Sequence, residues 1–217
     1  MSVSELGELF SSRSQPGEER LPAMFVSFAS LAFVLVLLSI VISVHLSPPG
    51  NPAQEFGELG LNTALKSLLA AMSGMAAALV FYIRTKRFDR GALFWLAIAV
   101  VCVFFALEAR WGAGLLTAGP VMAGWVGASG LGVAILALLI LFAREITACR
   151  TFLTLFSVAV AFVALDAVGS MAMPAATGWK QVLLEGSGLI GVLLLFLAVS
   201  ARLVLLIDQL SARRRFG

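Results

Sequence analysis

The stretch PAMFVSFASLAFVLVLLSIVISVHL, residues 22–46, contains no Asp, Glu, Lys or Arg. Its apolar residues fall on every face of a helix, so it has no polar side to turn toward water. Crossing about 30 Å of hydrocarbon takes about 20 residues of helix, and this stretch predicts a membrane span from Pro22 to Leu46. Five further apolar runs follow it: Asn62–Ile83, Gly91–Ala109, Val121–Ala143, Thr151–Met171 and Gln181–Leu206. Composition points the same way. The chain has 217 residues, 60% hydrophobic and 12% charged, with a mean hydropathy of +1.02. A soluble domain is about half apolar and about a quarter charged. Six spans consume most of the chain and leave no segment for a separate soluble catalytic domain.

The predicted fold is therefore all-α, a polytopic transmembrane bundle of six spans. Residues 1–20 form a polar N-terminal segment, 21–207 the six-helix domain and 208–217 a basic tail. The first segment is too polar to pack and is expected to be disordered or interfacial. It is not read as a cleaved leader, because the apolar run after it is long enough to span and no small-x-small site follows. Turn signals separate the spans, including Ser47-Pro48-Pro49-Gly50-Asn51-Pro52 and Ala118-Gly119-Pro120.

Orientation follows from the basic residues. Arg84-Thr85-Lys86-Arg87-Phe88-Asp89-Arg90 joins the second and third spans, Arg144 and Arg150 flank the next loop on that side, and Arg213-Arg214-Arg215 close the chain. The opposite loops carry Glu55 and Glu58 and few basic groups. Cytoplasmic loops are the lysine- and arginine-rich ones, so both termini are expected in the cytoplasm of a bacterial inner membrane. The net charge of +3 then reports topology and does not point to nucleic acid. The expected partners are the lipid bilayer and either other membrane subunits or further copies of the chain.

Two hairpins read alike. Residues 62–109 contain Ser73-Gly74 and end in Ala106-Leu107-Glu108-Ala109. Residues 121–171 contain Ser129-Gly130 and carry Ala164-Leu165-Asp166-Ala167. They would form a parallel repeat about an axis along the membrane normal, although alanine and leucine are common enough here for chance to supply the match.

Ionisable residues in a span cost about 2.5–3.5 kcal/mol at its centre and less near its ends. Glu108, Asp166, Glu185, Lys66 and His45 all fall toward the outer ends of their spans, and Asp166 is the deepest. Helical spacing sets Lys66 in line with Ala70, Ser73 and Ala77. It sets Asp166 with Ala159 and Ser170, and Glu185 with Gly188 and Val192. Small residues beside charges are what close helix packing needs, so the charges are expected to face the bundle. The plainest reading is a structural ion pair of Lys66 with Glu108 or Asp166. The others are a proton- or cation-handling site, or helix-end groups reaching water.

Gly127-Ala128-Ser129-Gly130 is similar to the Gly-x-Ser-Gly motif of rhomboid intramembrane proteases, which share six spans and cytoplasmic termini. That resemblance implies a serine nucleophile, which needs a base within reach. The family's base is a histidine of the sixth span. Here that span reads Gly186-Ser187-Gly188-Leu189-Ile190-Gly191, and the only histidine, His45, is on the first. The long first outer loop is missing too, so protease activity is rejected. Phe105-Ala106-Leu107-Glu108 and Leu184-Glu185-Gly186 resemble motifs of uncharacterised bacterial multi-pass proteins, over roughly the second to sixth spans. The chain lacks the second acid of each motif and the histidine–glutamate pair expected after the first. That resemblance implies no function.

Cys102, within a span, and Cys149, in a loop, suggest neither disulfide nor metal site. No catalytic residue, metal or cofactor is expected. Trp111 and Trp179 read as interfacial anchors, and most other aromatics as lipid-facing bulk. Three functional classes follow in order: an accessory or structural membrane subunit, a small proton- or ion-coupled transporter using the intramembrane acids, and an intramembrane enzyme.

Overall fold

The computed structural model describes residues 21–48, 60–86, 91–111, 147, 149–172 and 178–215, with backbone only for 108–111, 170–172 and 212–215. The expected N-terminal segment 1–20, the fourth span Val121–Ala143 with the half of the second repeat hairpin that it forms, and Gly127–Gly130 lie outside the described residues.

Five helices are described: α1 (Ala23–Leu46), α2 (Leu61–Thr85), α3 (Ala92–Trp111), α4 (Arg150–Ala172) and α5 (Trp179–Arg215). No strand occurs among the described residues. None of the seven prolines falls inside these helices, so no backbone ladder is broken. Ala23–Leu46, Leu61–Thr85, Arg150–Gly169 and Trp179–Ser211 are long and apolar enough to cross a membrane, and α3 is apolar over Ala92–Leu107.

Four helices begin and end close to the expected spans. The fifth does not: α5 runs on to Arg215, nine residues past the expected Leu206, and at 37 residues is about 55 Å long. No glycine or proline interrupts it after Gly191, and Leu206 is buried against the core. Gly178, at φ +62°, takes the left-handed backbone open to glycine just before α5 starts.

Two antiparallel pairs, α2/α3 and α4/α5, are joined through α2 and α5, and α1 packs on both of these. Small residues set the spacing. A β-carbon at Gly74 would lie 3.3 Å from the Ala99 carbonyl oxygen. One at Gly191 would lie 2.9 Å from the Val163 nitrogen and 3.1 Å from the Ala159 oxygen. Ser67 Oγ donates to the Ala106 carbonyl at 2.9 Å, tying the start of α2 to the end of α3.

The core has two parts. One, toward the expected outer end, gathers Val36, Leu69, Ala70, Ala106, Leu189, Val192, Leu193 and Phe196. The other, toward the expected cytoplasmic end, centres on aromatic rings. Phe152 stacks on Phe156 at 5.2 Å and 19° and lies 5.2 Å from Trp95; Phe94 meets all three edge-on. These four side chains are buried, so they are not the lipid-facing bulk expected of them. They also show that α3 and α4 start side by side and run the same way. Cys149 precedes α4, and its sulfur accepts the Phe152 N–H at 3.4 Å, as an N-cap side chain does.

Candidate polar site at one end of the bundle

Each charge of the site owes its position to a different helix. Lys66 stands in the second turn of α2, after Gly60 in extended backbone ends the preceding chain. Asp166 lies toward the end of α4, and Glu185 less than two turns after Trp179 starts α5. Because α4 and α5 are antiparallel while α2 and α5 are parallel, the three reach one level.

There Lys66 Nζ donates to Asp166 Oδ2 at 2.6 Å and lies 3.6 Å from Glu185 Oε2. The Lys66 and Asp166 side chains are 20% and 14% exposed, and that of Glu185 34%. The close pair is thus the shielded one, and Glu185 is the partner nearer the surface. A charge-assisted bond at this distance is strong, and it bridges residues a hundred positions apart in sequence.

Gly188 makes the pairing sterically feasible. A β-carbon there would overlap the Asp166 carboxylate and fall 2.7 Å from Lys66 Nζ. The charged groups therefore rest against the bare backbone of α5. One turn further into the bundle, Ala70, Cys102, Phe105, Val163, Val192 and Leu195 line a cavity of about 10 Å³. It is about the size of one water, and an apolar cavity of this kind stays dry. It offers no room for a substrate.

Of the residues singled out from sequence, Lys66, Asp166 and Glu185 come together. His45 is exposed in the last turn of α1, and the three charged groups do not pair with it. Glu108 lies on α3, and its side chain is outside the described atoms. Lys66 meets Asp166, one of the two acids named for it.

Sequence reasoning passed over four polar residues. Ser43 and Asn62 are 1% and 4% exposed, and Ser39 Oγ lies 3.2 Å from Asn62 Oδ1, linking α1 to α2. Arg202 is buried in α5, as Arg84 is in α2. A signal existed for each. Ser39 and Ser43 are four residues apart on one apolar helix, Asn62 precedes Lys66 by one turn, and Arg202 is the only charge between Glu185 and Asp208.

Comparison of the chain with protein-family models, with curated proteins and with solved structures found no match.

Proposed function

We propose that the chain is an accessory or structural protein of the bacterial inner membrane, with six spans and both termini in the cytoplasm. In this reading Lys66, Asp166 and Glu185 clasp α2, α4 and α5 together. The observation that carries it is the direct 2.6 Å pairing of Lys66 with Asp166, seated on Gly188 and backed by a cavity too small and too apolar for a solute.

Two features support the membrane placement. No Asp, Glu, Lys or Arg occurs in 22–44, 67–83, 92–107, 151–165 or 186–201. In α2, α4 and α5 these stretches run between Lys66 and Arg84, Arg150 and Asp166, and Glu185 and Arg202. Each pair is about 16–18 residues apart, or about 24–27 Å along a helix, close to the hydrocarbon thickness. The triad then sits at the outer edge of the hydrocarbon. The parallel run of α3 and α4 supports a further span between them, the expected fourth. A chain leaving the far end of α3 must recross the bundle to begin α4, and Val121–Ala143 is the apolar stretch available for it.

One observation favours the transporter reading. Two carboxylates share one ammonium, and the more exposed, Glu185, holds it only at 3.6 Å. Asp166→Asn separates the two. A clasp predicts less folded protein in the membrane, read by size-exclusion chromatography of detergent extracts. Full yield with loss of a proton- or cation-driven flux in vesicles would instead select the transporter.

A further inference from the structure

Ser43 Oγ and Asn62 Nδ2 are fully buried, and neither has a hydrogen-bond partner. Other serines satisfy themselves: Ser30 and Ser73 within their helices, and Ser47 just after α1, each donate to the carbonyl four residues back. Ser43 does not, so its hydroxyl is directed away from its own backbone. At about 100° per residue, Ser43 falls between Ser39 and Ile40 around α1. Ser39 meets Asn62 of α2, and Ile40 packs on Val182 of α5. Ser43 therefore faces the junction of α1, α2 and α5.

Asn62 leads to the same place. Ser39 has one hydroxyl proton and already donates it to the Val36 carbonyl at 2.8 Å. Turning the Asn62 amide over lets Nδ2 donate to Ser39, but then Oδ1 is left over. In either orientation one end of the amide has no protein partner. A buried polar group left this way is costly unless water supplies the bond.

We propose that water occupies the junction of α1, α2 and α5 at Ser43 and Asn62, forming the outer end of a polar seam that leads to Lys66, Asp166 and Glu185. Asn62 precedes Lys66 by one turn on the same face of α2, so the seam passes from the junction to the triad without crossing an apolar layer on that helix. The chemistry selects a neutral occupant. The amino end of Asn62 and the N-terminus of α2 repel a cation, and the surplus carboxylate one turn below repels an anion. This seam rests on the membrane placement given above and gives the triad contact with water on the outer side.

Single cysteines test it in the full-length protein, with the small, neutral methyl methanethiosulfonate applied from the outer side. The reagent requires a hydrated, ionised thiol. Ser43→Cys is nearly isosteric, Asn62→Cys is the second probe, and Met75→Cys, at a 62% exposed position in mid-α2, reports the lipid-facing surface. The native Cys102 and Cys149 are buried, and the wild type sets the background. Ser43→Cys or Asn62→Cys is expected to react at least about tenfold faster than Met75→Cys. If both probes are as protected as Met75→Cys in correctly folded protein, the seam is overturned while the membrane placement stands. If Met75→Cys itself reacts rapidly, the membrane placement fails and the seam with it.

Discussion

Gly188 has to be glycine because two charged side chains occupy the space of its missing β-carbon. Gly186, two residues earlier on α5, has only Ile40 Cδ1 at 3.7 Å from the same construction. Gly188→Ala is therefore expected to destabilise the protein by about 1–3 kcal/mol through overpacking. Gly186→Ala should be neutral or slightly stabilising, since alanine is the better helix former. Thermal unfolding of the two variants in detergent checks the contrast, and equal melting temperatures would remove Gly188 from the site. Helical spacing already put Glu185, Gly188 and Val192 on one face in the sequence, because side-chain direction follows from position alone. It could not name Asp166 as the group opposite Gly188. That depends on the register of α4 against α5, which close approaches such as Gly191 on Val163 decide.

At the scale of the helices, the existence and type of each described element were legible, because an uncharged apolar run in a chain of this hydropathy has few alternatives. The end of α5 was not. Hydropathy marks the lipid-facing part of a helix, whereas the helix itself continues until something stops it. The aromatic joint between α3 and α4 was missed for a related reason. Phe94, Trp95, Phe152 and Phe156 are as apolar as lipid-facing residues, and only the packing tells them apart. Phe152→Ala is expected to cost about 3–5 kcal/mol, read as a lower melting temperature, while Phe104→Ala, at an exposed position of α3, should cost much less. Similar losses would mean that the ring cluster does not hold the two helices together. Cys149→Ala should cost about 1 kcal/mol by removing the sulfur that caps α4, measurable in the same assay.

For the whole molecule, the basic loops predict that a fluorescent protein fused after Gly217 folds and emits in the bacterial cytoplasm, whereas an alkaline phosphatase fusion there is inactive. The reverse pattern would invert the topology. The wider architecture is two antiparallel helix pairs brought together by α2 and α5, with charges bridging them at one end of the bundle. The sequence carried the level of those charges and offered Asp166 as one of two acids for Lys66, but it did not choose between them or add Glu185, since pairing is a property of the assembled bundle. The central claim is that Lys66 and Asp166 act as one unit holding the pairs together. A double-mutant cycle of Lys66→Met and Asp166→Asn, read by thermal unfolding in detergent, tests it most directly. Lys66→Met leaves Asp166 without its ammonium, and Asp166→Asn leaves Lys66 only the 3.6 Å contact to Glu185, so each single change should destabilise, by up to about 3 kcal/mol. The double variant should be no worse than either single one, with a coupling energy above about 1 kcal/mol. Effects that add within about 0.5 kcal/mol would contradict the clasp.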